Sequence, residues 1–349
     1  MLSVTIDPAV FAPPFGARTR ESVRAYVDTL LHWKRVHDEG HVALYVVERT
    51  AEILVNSKCY PLRPWLADLL RETRFVEFDA NTIASFAETL IGRSESLEKR
   101  IRIADLLSEQ VAVAPDIFNE HIPPELREAS EKTALMIAIV RKGRSDSFTS
   151  SHGMVVRKRD NASEVLMKAI ITILEYDGED LAYLPALPNK FEGRSMICER
   201  FHDYLMAVDE GVLWQRSVGN DGLERSIRLA AYKSRARRGE PNAWNTQLHL
   251  RINPQFYLSV ASCSALENPA VARGALRAIL ETIEGTNMAD THQLRTGNGP
   301  NDPEVKRGND IAWRRDVDYE HHLHYWICPD GIIELACLSY PHDNFTICG

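Results

Sequence analysis

Residues 297–345 read GNGPNDPEVKRGNDIAWRRDVDYEHHLHYWICPDGIIELACLSYPHDNF and decide the fold of the C-terminal part of the chain. The segments IAWRRDV at 311–317 and HHLHYWI at 321–327 are rich in β-branched and aromatic residues, as strands are. A Pro-Asp-Gly turn at 329–331 joins the second segment to IIELACLSY at 332–340. Turn residues between two such runs predict a hairpin. The stretch therefore predicts a small sheet of antiparallel strands.

A strand and a helix precede this sheet in the sequence. The segment TQLHLRI at 246–252 alternates as a strand does, and residues 269–283 carry apolar side chains at helical spacing. Together with the hairpin they predict a compact α+β unit of about one hundred residues, which is a typical domain size.

The chain is longer than one hydrophobic core usually serves. It has 349 residues, whereas single cores stop growing at about 250–300 residues. We predict a mostly helical, mixed domain at residues 1–145, a middle α+β segment at 146–240 and the small-sheet domain at 241–349. The middle segment is either separate or one unit with the first domain. The predicted fold class is α+β, with a mixed α/β N-terminal region before an antiparallel-sheet domain that carries a packed helix.

Four local predictions concern the N-terminal two thirds. Residues 1–18 read as an irregular arm because they contain three prolines. Residues 154–158 and 165–176 are expected to pair as strands, and residues 197–215 to form one amphipathic helix. The basic stretch SRARRGEPN at 234–242, which contains Gly and Pro, reads as a linker.

The net charge limits how this protein could bind nucleic acid. The formal net charge is −8, so no global basic field attracts RNA or DNA, and any such contact must be local. Basic residues cluster at 233–238 and again at 306–315. We interpret the first cluster as a solvated linker, with an RNA patch as the alternative.

The cysteines and the apolar runs of the sequence indicate the cellular compartment of the protein. The six cysteines are scattered without a CxxC pair, so neither a zinc ribbon nor a thioredoxin-type site is indicated. The first residues lack the basic start and apolar run of a signal peptide. The longest apolar run, at 134–140, is far short of the ~20 residues that cross a bilayer. We expect a cytoplasmic protein with reduced thiols and no membrane partner.

Histidines are concentrated on one predicted strand. Side chains alternate along a strand, so His322 and His324 share one face, which we expect to be exposed, while Leu323 and Tyr325 turn to the core. His342 follows the next strand. The three imidazoles are also a possible metal set, but no fourth ligand is obvious, and we predict no metal.

Acids and cations adjoin these histidines in the sequence. Glu304 and Lys306 lie in the Gly- and Pro-rich loop, and Arg314 and Arg315 lie in the strand that follows. RNA cleavage by transesterification needs a base, cations on the phosphate, an acid for the leaving oxygen and in-line geometry. Glutamate, arginine or lysine, and histidine supply these groups without a metal. The pattern predicts phosphodiester chemistry without a cofactor.

The same residues resemble the RelE/ParE superfamily of bacterial toxins, and most closely the YoeB branch of ribosome-associated mRNA endonucleases. That branch has a G-x-G-x-P-E-P-L-K loop before a W-S-R-R-x-x-x-E-H-R-L-x-Y strand pair. The matching positions are Gly297, Gly299, Pro303, Glu304, Lys306, Trp313, Arg315, Glu320, His321, Leu323 and Tyr325. The resemblance implies a RelE-like antiparallel-sheet fold for residues 241–349.

The resemblance also implies roles for individual residues. Glu304 would be the general base, Lys306 and Arg315 the phosphate cations, and His342 the general acid. The arginine of the family's E-H-R is His322 here, and we assign it to the catalytic set with Glu304, Arg315 and His342. Substrate binding is assigned to Lys306, Arg314, His324 and Tyr340. Tyr340 is included because the family's C-terminal histidine falls on it when the two sequences are aligned without a gap.

Two functions follow as predictions. The first is a toxin-like effector whose C-terminal domain cleaves RNA, in particular ribosome-associated mRNA, while the N-terminal region senses or docks in anti-phage or stress defence. Its partners would be RNA, the ribosome, and an antitoxin or another protein. The alternative is a non-catalytic binding or scaffold subunit of a defence or nucleic-acid complex, with a degenerate RelE-like domain. The two differ in whether His322, His342 and Glu304 share one pocket.

Overall fold

The computed structural model describes residues 2–118, 120–143, 147–159, 161–176, 189–240, 243–297, 299, 301–340 and 347. Contacts divide the chain into two units, Met1–Ala207 and Val208–Gly349. This boundary lies earlier than the boundary near residue 240 that the sequence suggested. The reason is that a long helix before residue 240 supplies side chains to the core of the second unit.

The first unit alternates strands and helices. Its strands are β1 (Ser3–Ile6), β2 (Ala43–Val46), β3 (Glu95–Ser96), β4 (Ile103–Ala114), β5 (Gly153–Val155), β6 (Glu164–Tyr176) and β7 (Asn189–Cys198). Its helices are α1 (Pro8–Phe11), α2 (Arg20–Asp38), α3 (Thr50–Asn56), α4 (Arg63–Thr73), α5 (Ala80–Arg93), α6 (Leu97–Ile101), α7 (Pro124–Gly143), α8 (Ser147–Ser151) and α9 (Phe201–Ala207).

The described strands of the first unit form one mixed sheet in the order β3-β2-β1-β5-β7-β6-β4. Strand β1 pairs in parallel with β2 and with β5, and β5 pairs in parallel with β7. Strand β6 runs antiparallel to β7 and to β4. The chain therefore moves outward from β1 to β3 and later returns on the other side of β1. In open parallel sheets, ligands bind at the carboxyl ends of the strands at such a reversal.

The second unit has helices on a smaller sheet. Its helices are α10 (Glu210–Gln215), α11 (Gly219–Arg237), α12 (Phe256–Ser262) and α13 (Pro269–Glu284), with a 3₁₀ turn at Met288–Asp290. Its strands are β8 (Leu250–Ile252), β9 (Thr291–Gln293), β10 (Lys306–Arg307), β11 (Asp310–Asp316), β12 (His322–Ile327) and β13 (Ile333–Ser339). Both units combine helices with sheets, so the α+β class is confirmed.

The sheet of the second unit has the order β10-β11-β12-β13-β8, and β9 also pairs with β11. Strands β11, β12 and β13 are antiparallel, as predicted, whereas β8 runs parallel to β13. Helix α13 confirms the helix predicted at 269–283. It begins at Pro269 after the cap Asn268 and ends at Gly285, whose φ of 64° favours glycine.

Several N-terminal predictions were wrong. Residues 1–18 contain β1 and α1 rather than an irregular arm throughout. Residues 165–176 do form a strand, but β5 pairs with β7 rather than with β6. Residues 197–215 are not one helix, because β7 ends at Cys198 and two short helices follow it. The predicted linker begins inside helix α11, which continues to Arg237.

Candidate functional site

The sheet of the second unit has two buried faces. On β12, Leu323 and Tyr325 belong to the core beneath the helices, as predicted. His322 and His324 alternate with them and lie on the other face, but they are only 3% and 0% exposed. The expectation of an exposed histidine face was therefore wrong. A second apolar cluster covers part of that face and contains Leu294, Ala312, Trp326 and Ala336, with Val305 and Ile347 packed against it.

The two buried histidines have polar neighbours on their own face. His322 Nε2 lies 3.3 Å from Asp316 Oδ1. His324 contacts Ser339 Oγ at 3.5 Å through Nε2 and Cys337 Sγ at 3.8 Å through Nδ1. The two imidazoles are stacked at 6.3 Å between ring centroids. Both imidazoles therefore have polar contacts on the buried face of the sheet.

The predicted cation Arg314 lies on this histidine face. In the antiparallel ladder Arg314 is directly opposite His324, and directly opposed residues share a face. Arg314, His324 and His322 are therefore brought together.

Arg315 is on the opposite face and is fully buried. Its Nη1 forms an ion pair with Glu281 at 3.1 Å and donates to the carbonyl oxygen of Asn287 at 2.9 Å. Its Nη2 donates to the carbonyl oxygen of Thr286 at 2.8 Å. These acceptors lie at the carboxyl end of α13, where unpaired carbonyls favour a cation. Arg315 ties β11 to the end of this helix and is not presented to a substrate.

Glu304 and Lys306 form an ion pair at 2.9 Å at the edge of the sheet. Hydrogen bonds from Lys306 and then from Gln293 hold the pKa of Glu304 below its ordinary value. Lys306 is opposite Ile311 and Gln293 is opposite Trp313. Since Ile311 and Trp313 alternate with the residues of the histidine face, the Glu304–Lys306 pair lies on the other side of the sheet.

Two predicted site residues belong to the end of the chain. Tyr340 is 52% exposed, and its ring stacks on His321 at 4.9 Å. His342 lies outside the described residues. Within the described part of the chain, no group of three His, Cys, Asp or Glu side chains is arranged to hold a metal ion.

The basic cluster at 233–238 is part of the fold. Lys233 is buried in α11, and its Nζ donates to Glu210 at 2.6 Å and to the carbonyl oxygen of Val208. Arg238 forms ion pairs with Glu240 and Glu284. Lys233 is therefore a buried structural cation rather than a member of a linker or of an RNA patch.

A second candidate site, which the sequence analysis missed, lies in the first unit. A cavity of about 380 Å³ is lined by residues that follow the carboxyl ends of three parallel strands. Asp7 follows β1, Arg157 lies just after β5, and Glu199 and Arg200 follow β7. The sequence signal was the short run Val4-Thr5-Ile6, which ends at Asp7. Its three residues are β-branched, and such residues favour strands.

Comparison of the chain with protein-family models, with curated proteins and with solved structures finds no match in any of the three. Among the described helices, none combines the length and the apolar character needed to cross a bilayer.

Proposed function

We propose that the protein is a cytoplasmic binding subunit of a nucleic-acid complex, and that its second unit is a RelE-like domain that binds RNA without cleaving it. The observation that carries this proposal is the separation of the acid–base groups by the sheet. Glu304 and Lys306 share the side of Trp313, whereas His322 and His324 are buried on the other side.

Cleavage of a phosphodiester requires these groups around one phosphate. The base must reach the 2′-hydroxyl and the acid the leaving oxygen, each at hydrogen-bond distance. A carboxylate and an imidazole on opposite faces of a packed sheet do not contact one phosphate. Arg315 adds no charge to the transition state, because Glu281 and two carbonyl oxygens already surround its guanidinium. The described groups therefore support binding better than catalysis.

The choice of RNA as the partner rests on the family resemblance and on exposed cations of the second unit. Lys306 is about half exposed, and so is Arg251. With a net charge of −8, such contacts act locally, and the affinity for RNA would fall as salt rises. The described cysteines form no disulfide with one another, which is compatible with the proposed cytoplasmic location.

Cleavage and binding can be measured in one experiment. The full chain is mixed with ribosomes programmed with a defined mRNA; cleavage is read by primer extension, and binding by co-sedimentation at increasing salt. Wild type, Glu304→Ala and His342→Ala are compared with Glu267→Ala, which changes an exposed glutamate elsewhere in the unit. We expect salt-sensitive co-sedimentation of all four proteins and no cleavage by any. Cleavage by wild type that Glu304→Ala or His342→Ala abolishes would contradict the proposal, and absence of co-sedimentation would remove its RNA partner.

The endoribonuclease function is the second candidate, and one observation favours it. Arg314, His324 and His322 share a face, and β13 on that sheet ends at Ser339, three residues before His342. A nuclease built on this face would use histidines without Glu304. This second candidate predicts that mRNA cleavage is lost in His342→Ala and in His322→Ala but kept in Glu304→Ala.

A further inference from the structure

The cavity of the first unit lies where the strand order reverses. The chain leaves β1 toward β2 on one side and returns to β5 on the other. The carboxyl ends of these strands present Asp7 and Arg157 to the cavity, and Phe15, Tyr26 and Phe118 supply apolar walls. Its volume of about 380 Å³ falls in the range of sites for small ligands.

Asp7 offers one acceptor to this cavity. The side chain is 1% exposed, and its Oδ1 accepts hydrogen bonds from Ala9 N at 3.2 Å and from Ser130 Oγ at 2.6 Å. Within the described residues, Oδ2 accepts no hydrogen bond, and it is not among the fully enclosed side-chain atoms that lack a partner. This oxygen is therefore accessible from the cavity that Asp7 lines. A ligand with an N–H group would supply the missing donor.

Arg157 offers donors to the same cavity. Its guanidinium lies over the rings of Phe15 and Tyr26, at 5.4 and 5.5 Å from their centroids. Nη2 donates to the carbonyl oxygens of Ala9 and Ala12, while Nη1 and Nε donate to no residue of the described chain. Asp7 and Arg157 form no ion pair with each other, although both line the cavity. Asp7 and Arg157 thus offer an acceptor and several donors to a ligand.

We propose that this cavity binds the guanine base of a nucleoside or nucleotide. Guanine has N–H donors at N1 and at its 2-amino group and acceptors at O6 and N7. The donors match Asp7 Oδ2, and the acceptors match the Arg157 guanidinium. The aromatic side chains would pack around the base and exclude water from its hydrogen bonds.

The other common bases fit this pair less well. Adenine has an N1 lone pair next to its amino group, and that lone pair would oppose the carboxylate. Cytosine likewise has acceptors beside its amino group. Uracil has one N–H between two carbonyl oxygens, which the carboxylate repels. Selectivity for guanine therefore distinguishes a guanine site from a cavity that binds apolar ligands in general.

Calorimetry with the full chain tests the proposal through the 2-amino group. Inosine is guanosine without this group, so we expect wild type to bind guanosine on the order of tenfold or more tightly than inosine, since a hydrogen bond to a charged group is lost. In Asp7→Asn an amide donor replaces the carboxylate acceptor. We expect the guanosine affinity to fall by a similar factor and the preference over inosine to disappear.

The controls keep a folding defect apart from a lost contact. Asp79→Asn changes an exposed aspartate that also caps a helix, and it should keep the full guanosine preference. Circular dichroism establishes that both variants are folded. Equal affinity of wild type for guanosine, inosine and adenosine would overturn the proposal. So would no measurable binding of guanosine, or a guanosine preference that survives in Asp7→Asn. None of these outcomes depends on whether the second unit binds RNA.

Discussion

Replacing Asp7 with asparagine should stabilise the protein at neutral pH. Burial raises the pKa of Asp7 from 3.8 to about 6, although hydrogen bonds from Ser130 and Ala9 and the charge of Arg157 act in the opposite direction. An asparagine oxygen can keep the hydrogen bonds from Ser130 and Ala9. At about 1.4 kcal/mol for each pKa unit, the buried carboxylate costs about 3 kcal/mol of unfolding free energy at pH 7.

The size of this gain should depend on pH in a defined direction. The folded pKa of this acid lies above its unfolded value, so the native state binds the proton more tightly. The cost of the carboxylate is fully present above pH 6 and disappears as the pH falls from 6 toward 3.8. The advantage of Asp7→Asn over wild type should therefore shrink from about 3 kcal/mol at pH 7 to less than about 1 kcal/mol at pH 4.

Urea denaturation at pH 7, 5 and 4 measures this difference directly. The transition of the first unit is fitted for wild type and Asp7→Asn, with Asp79→Asn as the matched control. The pKa of Asp79 is lowered by hydrogen bonds from Thr82, so the control should not gain stability at pH 7. If Asp7→Asn is destabilising at pH 7, or if its gain is the same at all three pH values, Asp7 does not carry a costly buried charge.

Three further outcomes can be checked. Burial lowers the pKa of His152 to about 3, so protonation of this imidazole favours the unfolded chain. In the Asp7→Asn background, the free energy of unfolding should therefore fall by about 2 kcal/mol between pH 7 and pH 5. The fall should be smaller when His152→Gln is added to that background. Arg315→Ala should lower the free energy of unfolding by about 1.5–3 kcal/mol in thermal or urea denaturation, because it removes a buried guanidinium that is hydrogen-bonded to two carbonyl oxygens and paired with the partly exposed Glu281; a loss below about 1 kcal/mol would contradict the structural role. Lys233→Met should lower the free energy of unfolding by about 1–3 kcal/mol without changing co-sedimentation with ribosomes. Arg237 is exposed, so Arg237→Met should leave the free energy of unfolding nearly unchanged.

The elements that the sequence predicted well are those with a local signal. Helix α13 has apolar spacing, an asparagine cap and a C-terminal glycine within one continuous stretch. The alternation of β12 correctly separated Leu323 and Tyr325 from His322 and His324. The exposure of the histidine face, in contrast, depends on residues outside the strand itself. Leu294 and Ile347, far away in the sequence, pack in the cluster on that face.

The cavity site of the first unit was not predicted because its sequence signals are short. Strand β1 has four residues, and Pro8 follows Asp7 at once. Such a segment resembles an arm until its neighbours are known. Its place between β2 and β5 is set by pairing over more than one hundred residues of sequence, as in parallel sheets generally. Asp7 becomes a candidate only when β5 brings Arg157 to the same cavity.

The separation of Glu304 from the histidines goes with a difference of one residue from the YoeB-like motif that the sequence resembles. In P-E-P-L-K the glutamate stands three positions before the lysine, whereas Glu304 is two positions before Lys306. In extended chain, a shift of one residue moves a side chain to the other face. Here Val305 takes the histidine side, and it packs with Leu294 and Ala312. An apolar residue therefore lies on the histidine side of the sheet at this edge. This packing supports the proposed binding domain over a metal-independent nuclease that uses Glu304.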